Sequence, residues 1–128
     1  MENSVKKILV VDDEEDIREF LQSFFENKGY SVCTAGTRED AQQLLQREMP
    51  LVVLLDIRMR SQRDGLDILS WMKQQGLKTK TIMVTADENK DVITEAYKLG
   101  ADDYIIKPLS LEYLQKSVTQ KIENLSNG

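Results

Sequence analysis

The stretch Leu51-Val52-Val53-Leu54-Leu55-Asp56 decides the fold, because five consecutive apolar residues end in an acid. A run that is apolar at every position is typical of a strand covered on both faces, as in parallel sheets. Ile8-Leu9-Val10-Val11-Asp12-Asp13 repeats the pattern, and two further apolar runs end at Thr85 and Lys107. In parallel α/β sheets the carboxyl ends of the strands share one edge, where ligands bind. We therefore expect these polar side chains to meet in one pocket.

Strand-like runs alternate with helical patterns along the whole chain. The predicted strands are Lys7–Val11, Tyr30–Ala35, Leu51–Leu55, Thr81–Val84 and Asp103–Ile106. Apolar residues at helical spacing predict five helices, around Ile17–Phe24, Ala41–Leu45, Leu66–Met72, Val92–Leu99 and Leu111–Leu125. Thr37 and Ser110 are the expected N-caps, and Gly29, Gly76 and Gly100 the expected stops. Five βα units predict a doubly wound parallel α/β sheet with helices on both faces.

Composition narrows the class of protein. With 128 residues, we expect one domain over 1–125, with 126–128 as a tail or the start of a linker. The net charge of −5 argues against direct nucleic-acid binding, and the longest apolar run is too short to span a membrane. A single cysteine, Cys33, fits a reducing, cytoplasmic setting, and we expect a buried, inert thiol. The sequence has no histidine, so any phosphohistidine must belong to a partner.

The three acids are candidate metal ligands. Asp12 and Asp13 are adjacent, and Asp56 is expected at the same sheet edge. Mg²⁺ typically binds one or two carboxylates together with water and phosphate oxygens. The alternative is that the acids after Val11 only favour the positive end of the following helix.

The remaining strand-end residues suit phosphoryl chemistry. Beside a metal and a lysine, Asp56 could act as a nucleophile that forms an acyl phosphate. Thr85 could donate a hydrogen bond to a phosphoryl oxygen, and Lys107 could offset the negative charge. A cis Lys107–Pro108 bond, an isomer found at about 5–6% of such bonds, could aim the lysine at the pocket.

The ordered set of motifs resembles the receiver domain of bacterial two-component response regulators, over essentially the whole chain. The motifs that carry the resemblance are Ile8–Glu14, Leu55–Met59, Val84–Ala86 and Asp102–Pro108. The resemblance implies the flavodoxin-like (βα)5 fold, with strand order 2-1-3-4-5.

The resemblance also implies roles. Asp56 would be the phosphoacceptor, contacted after phosphorylation by Thr85 and Lys107. Asp12, Asp13, Asp56 and the backbone carbonyl of Arg58 would hold Mg²⁺ or Mn²⁺. Tyr104 would be the switch aromatic that follows Thr85. The helix starting near Glu88, the strand at Tyr104 and the last helix would form the signalling face.

The resemblance further implies the partners. A histidine kinase or histidine phosphotransfer protein would supply the phosphoryl group. An output domain or protein would read the signalling face, which could also form a homodimer. The domain would not be an enzyme in the usual sense, although it would assist its own phosphorylation and slow dephosphorylation.

The chain departs from the family pattern after Asp56. Arg60 stands where the family usually has proline, and Asp64-Gly65 comes one position late, which indicates an inserted residue. Arg58 and Asp87 match positions that modulate phosphate lifetime, and their opposite charges could pair across the pocket.

Three alternatives remain at this stage. A flavin mononucleotide carrier shares the strand order, but the acids after Val11 would repel its phosphate. A haloacid-dehalogenase-type phosphatase normally has a second acid where Arg58 stands. A degenerate receiver would bind partners without phosphorylation.

Overall fold

Five strands and five helices alternate along the computed structural model, which describes residues 6–61, 63–86 and 90–127. The strands are β1 (Lys7–Val11), β2 (Ser31–Ala35), β3 (Val52–Asp56), β4 (Lys80–Thr85) and β5 (Asp103–Ile106). The first four helices are α1 (Glu15–Asn27), α2 (Arg38–Glu48), α3 (Asp64–Gln75) and α4 (Lys90–Lys98). The last, α5, begins as Leu111–Tyr113, passes through a π-helical stretch at Leu114–Val118, and continues as Thr119–Asn127.

The sheet has the expected order β2-β1-β3-β4-β5, and every strand pair is parallel. The register aligns the carboxyl ends of the central strands. Val11 lies opposite Leu55, Asp56 lies opposite Val84, and Thr85 lies opposite Ile106. The polar residues that end these strands are therefore brought to one edge.

Both faces of the sheet are covered. The four apolar residues of β3 are buried, as the apolar run predicts, and so is Asp56, whereas Leu51 is half-buried and precedes the strand. Its alternate side chains enter two cores: Val53 and Leu55 pack with residues of α2, α3 and α4, whereas Val52 and Leu54 pack with residues of α1 and α5. Full burial of one such aliphatic side chain stabilises the fold by about 1.5–3 kcal/mol.

The predicted helix ends are confirmed. The Thr37 hydroxyl accepts a hydrogen bond from the Asp40 amide at 3.1 Å, and the Ser110 hydroxyl accepts one from the Tyr113 amide at 3.1 Å. Gly76 ends α3 with φ 69°, a left-handed conformation that glycine adopts without steric cost.

The last helix differs from the regular pattern that its sequence predicts. Its π-helical stretch has a wider turn, and the Thr119 hydroxyl donates a hydrogen bond to the Leu114 carbonyl at 2.8 Å. Apolar spacing alone does not reveal such a turn, because Leu114 and Val118 are four positions apart, a spacing that a regular α-helix also places on one face.

Cys33 is half-buried, not fully buried as expected. It lies on β2, which is an edge strand and has a sheet neighbour on one side only. Burial, and secondarily the charge of Glu48, raise the pKa of its thiol, which disfavours the reactive thiolate. Within the described ranges, no helix is both long enough and apolar enough to cross a membrane.

Candidate functional site

A cleft of about 510 Å³ opens at the carboxyl edge of the sheet, between the ends of β1, β3, β4 and β5. Its walls include Asp13, Asp56, Thr85 and Lys107. The structure therefore brings together residues that are up to 94 positions apart in sequence.

Asp56 ends β3, and its side chain is held from two sides. One carboxylate oxygen accepts a hydrogen bond from the Arg58 amide at 3.2 Å, and the other accepts one from the Lys107 ammonium at 3.1 Å. The start of α3 packs directly against its backbone. A Cβ atom on Gly65 would lie 2.2 Å from the Asp56 carbonyl oxygen, so only glycine fits at that position.

Asp12 lies beside Asp56 and is almost entirely buried. One of its carboxylate oxygens accepts a hydrogen bond from the Glu14 amide at 2.9 Å, and the other pairs with Lys107 at 2.9 Å. Asp13, in contrast, is exposed at the cleft.

Asp12, Asp13 and Asp56 form a candidate metal centre. They each offer a carboxylate oxygen, and these oxygens lie within 4.8 Å of one another. Three clustered carboxylates with one amine are an oxygen-rich donor set of the kind that hard divalent cations prefer. The residues therefore fit Mg²⁺.

Burial and neighbouring charges shift the pKa values of the central pair. Burial, together with the negative charge of Asp12, raises the pKa of Asp56 to about 6, although Lys107 and the Arg58 amide oppose the shift. Burial alone would lower the pKa of Lys107, but its hydrogen bonds and charge interactions with Asp12 and Asp56 outweigh that effect and raise it. The lysine therefore stays charged between the two acids.

Thr85 and Tyr104 occupy different parts of this region. Thr85 is buried at the end of β4, and its carbonyl accepts a hydrogen bond from the Lys107 amide at 2.8 Å. Tyr104 is half-buried on β5, outside the cleft lining, and its ring packs edge-to-face against Tyr97 of α4 with centroids 6.1 Å apart. The peptide bond between Lys107 and Pro108 is cis.

The loop between β3 and α3 carries arginines with different environments. Arg58 is exposed at the cleft, whereas Arg63 forms two hydrogen bonds with Glu95 of α4, at 2.5 and 3.3 Å. Its neighbour Asp64 accepts a hydrogen bond from the Ser61 amide at 2.8 Å and pairs with Arg38 of α2 at 3.3 Å.

Two expectations about this region fall outside the described residues. Asp87, the expected modulatory partner of Arg58, is one, and the helix start near Glu88 is the other. The first described residue of α4 is Lys90.

Two features of the site were not predicted from sequence. One is that Arg18 donates a hydrogen bond to the Asp12 carbonyl at 2.8 Å. In the sequence, Arg18 is indistinguishable from an ordinary surface arginine. An apolar groove of about 450 Å³ adjoins the cleft and is lined by Ile17, Phe20, Pro108 and Leu109, among others. The 42% exposure of Phe20 on α1 is visible only once the helix is placed.

Comparison with known proteins agrees with this geometry. A family model for the response regulator receiver domain matches residues 8–119. The alkaline phosphatase synthesis transcriptional regulatory protein PhoP of Bacillus subtilis is 43% identical over 106 residues, covering 82% of this chain and 43% of PhoP. The alginate biosynthesis transcriptional regulatory protein AlgB of Pseudomonas aeruginosa is 36% identical over 117 residues, covering 91% of this chain and 26% of AlgB.

The chain thus spans less than half the length of either regulator. Among solved structures, the response regulator protein TrrA from Thermotoga maritima, in complex with Mg²⁺ and BeF, superposes with a TM-score of 0.80. It is 30% identical, and the match covers 94% of this chain and 99% of TrrA. The chain therefore belongs to the response regulator receiver domain family.

Proposed function

We propose that this domain is a two-component switch that accepts a phosphoryl group on Asp56 from the phosphohistidine of a kinase or phosphotransfer protein. Receiver domains act in phosphorylation-dependent two-component signalling. The observation that carries the assignment to Asp56 is its position: a carboxylate at the end of β3, in the cleft, hydrogen-bonded to Lys107 and clustered with two further acids.

In the proposed step, an Asp56 carboxylate oxygen attacks phosphorus, an O–P bond forms, and the P–N bond to the donor histidine breaks. Lys107 already bridges Asp12 and Asp56, so it is placed to offset the charge of the incoming phosphoryl oxygens. Thr85 lines the same cleft, where its hydroxyl can donate to one of those oxygens. The barrier is lowered by positioning and electrostatics.

A divalent cation, Mg²⁺ or Mn²⁺, is the proposed cofactor. Asp12, Asp13, Asp56 and the backbone carbonyl of Arg58 would hold it, and the carboxylate cluster supports the first three of these assignments. When bound, the cation neutralises negative charge on the carboxylates and on the phosphoryl oxygens. Its charge would also lower the pKa of Asp56, so that the nucleophile is ionised at neutral pH.

Signalling is proposed to pass from Thr85 through Tyr104 to the face made of α4, β5 and α5. The Tyr97–Tyr104 ring contact gives a change in the Tyr104 ring a direct route to α4. Phosphorylation would bias two pre-existing arrangements of this face, which an output domain, an output protein or a second copy of the domain would read. Slow hydrolysis of the phosphoaspartate would reset it.

The donor histidine is proposed to belong to a partner, because these 128 residues contain none. The apolar groove beside the cleft is the proposed docking surface for that partner, since Lys107 and Ala86 line both the groove and the cleft. Phe20→Ala should slow phosphorylation by a cognate kinase without changing phosphorylation by acetyl phosphate. Equal slowing with both donors would contradict a docking role.

The central test is phosphorylation with acetyl phosphate and Mg²⁺, followed by intact-mass spectrometry. One phosphoryl group should be added to the wild-type protein and to the control variant Asp40→Asn, which changes an exposed acid of α2. None should be added to Asp56→Asn. An unmodified wild-type protein would instead support the degenerate binding module, and modification of Asp56→Asn would place the acceptor elsewhere.

A further inference from the structure

The peptide that joins Asp12 to Asp13 is held by an arginine from the following helix. Arg18 Nη1 of α1 donates a hydrogen bond to the Asp12 carbonyl oxygen at 2.8 Å. On the other side of the same residue, the Asp12 amide donates to the Ala35 carbonyl at 3.1 Å. The backbone of Asp12 is therefore fixed at both its N–H and its C=O.

The Arg18 guanidinium occupies a space that depends on a glycine. A Cβ atom on Gly36 would lie 2.7 Å from Arg18 Nη1 and 3.1 Å from Cζ, closer than side chains normally approach. Gly36 is not among the residues with positive φ, so its backbone conformation does not itself require glycine. A side chain at position 36 would therefore require the guanidinium to move from the place where it meets the Asp12 carbonyl.

Asp13 depends on this peptide for its position. Its side chain is exposed, and its carboxylate accepts no hydrogen bond and forms no ion pair within the described part of the chain. The Asp12 side chain, by contrast, is held by the Glu14 amide and Lys107. The direction in which Asp13 leaves the backbone is therefore set by the peptide plane that Arg18 holds.

We propose that Arg18 is a positioning residue for the cation site, acting through the Asp12 carbonyl on the placement of Asp13, and that Gly36 makes room for it. This inference rests on the proposed cation site. It assigns Arg18 no contact with cation or phosphoryl group. Groups behind the direct ligands commonly tune metal affinity by fixing ligand orientation.

The sign of the effect separates positioning from simple electrostatics. Arg18 carries a positive charge and contacts the Asp12 backbone at the proposed cation site, so removing it should strengthen cation binding if charge alone matters. Loss of positioning should instead weaken cation binding, because a mobile Asp13 side chain must be ordered when the cation binds, and this ordering costs free energy. A weaker cation affinity after neutralisation of Arg18 therefore has the wrong sign for a loss of charge and the sign expected for a loss of its contact with the backbone.

The experiment measures Mg²⁺ affinity by calorimetric titration, without a phosphoryl donor. Arg18→Met keeps the aliphatic part of the side chain and removes the guanidinium group, and it should weaken Mg²⁺ binding by about 3–10-fold. Arg18→Lys keeps an N–H donor at the end of a long aliphatic stem, which can reach the Asp12 carbonyl, and should restore part of the affinity. Gly36→Ala should weaken binding similarly, because its methyl group displaces the guanidinium without straining the backbone. Arg47→Met, on an exposed arginine of α2, is the control and should bind as wild type.

Each outcome decides one point. Unchanged or tighter Mg²⁺ binding in both Arg18→Met and Gly36→Ala would overturn the inference. If Arg18→Met does not fold, Gly36→Ala, which retains the arginine, decides alone. A wild-type protein that does not bind Mg²⁺ would overturn the cation site itself and, with it, this role of Arg18.

Discussion

The strand-end cleft and the Arg58–Arg63 loop meet at the end of β3, yet they hold their charges in different ways. In the cleft, Asp12 and Asp56 are buried. Each carboxylate accepts a hydrogen bond from one backbone amide and forms an ion pair with the shared Lys107 ammonium. On the loop, Arg63 is 54% exposed and is held by one exposed acid, Glu95.

This difference sets the energetic scale of each region. Breaking a buried pair strands an uncompensated charge and typically costs about 3–5 kcal/mol, whereas an exposed pair typically contributes about 0–1 kcal/mol. We therefore expect the cleft to set the chemistry and the loop to adjust stability only slightly. Four measurements test that division.

The largest effect is expected for Lys107→Met. It removes the cation shared by Asp12 and Asp56, so the rate of phosphorylation by acetyl phosphate should fall by about 10²–10³-fold. Lys121→Met is the matched control, because Lys121 pairs with Asp103 at 3.0 Å, away from the cleft. A phosphorylation rate within about threefold of the wild-type rate would mean that Lys107 does not act on the phosphoryl group.

Gly65→Ala should give the next largest effect. The added methyl group would lie 2.2 Å from the Asp56 carbonyl oxygen and 2.6 Å from the Ile57 Cα, so α3 must move away from β3. We expect a loss of about 2–3 kcal/mol in the free energy of unfolding by urea, as in overpacked cores. Ser70→Ala, within the same helix, should change stability little. Equal stabilities of these two variants would show that α3 does not pack on Asp56 as described.

Asp56→Asn should stabilise the metal-free protein at neutral pH. The pKa of Asp56 is raised from 3.8 to about 6, so its ionised form opposes folding above pH 6 and has no such effect below 3.8. The variant should gain about 1–3 kcal/mol at pH 7.5, and this gain should shrink as the pH falls from 6 to 4. Urea unfolding in the presence of a metal chelator measures this gain in the free energy of unfolding, with Asp40→Asn as the control. A gain that is independent of pH would rule out titration of Asp56 as its cause.

The smallest effect is expected for the loop. Arg63→Glu should destabilise the protein by about 0.5–1 kcal/mol through repulsion of Glu95, and Arg63→Glu combined with Glu95→Arg should recover most of that loss. Both variants should be phosphorylated within about twofold of the wild-type rate, since neither Arg63 nor Glu95 lines the cleft. A tenfold rate change in the single variant, recovered in the double variant, would show instead that the loop controls the chemistry.

The fold and the central cluster were predictable because their signals are local and strong. The apolar run before Asp56 is short, contains two valines and is typical of a strand buried on both faces, and Thr37 and Ser110 cap helices through short-range hydrogen bonds. The meeting of Asp12, Asp56 and Lys107 follows from parallel strands that end at one edge. The roles proposed for these residues stay predictions.

Other features required the three-dimensional arrangement. The Arg63–Glu95 pair joins residues 32 positions apart, and nothing in either local sequence favours that partner. Arg18 lies on α1, and only the placement of Gly36 against its guanidinium shows that it reaches the backbone of Asp12. Cys33 is half-buried because its strand lies at the sheet edge, and the strand order was inferred from family resemblance rather than from the residues.

The π-helical stretch of α5 keeps the last apolar stripe in phase with the sheet. Leu114, Val118 and Ile122 are all fully buried, although each follows the previous one by four residues. At 3.6 residues per turn, a four-residue step advances by about 40° beyond a full circle, so such a stripe winds around an α-helix. The wider turn at Leu114–Val118 rotates less per residue and cancels part of that advance. One wider turn therefore lets apolar residues at every fourth position stay on the same face of the helix, towards the sheet.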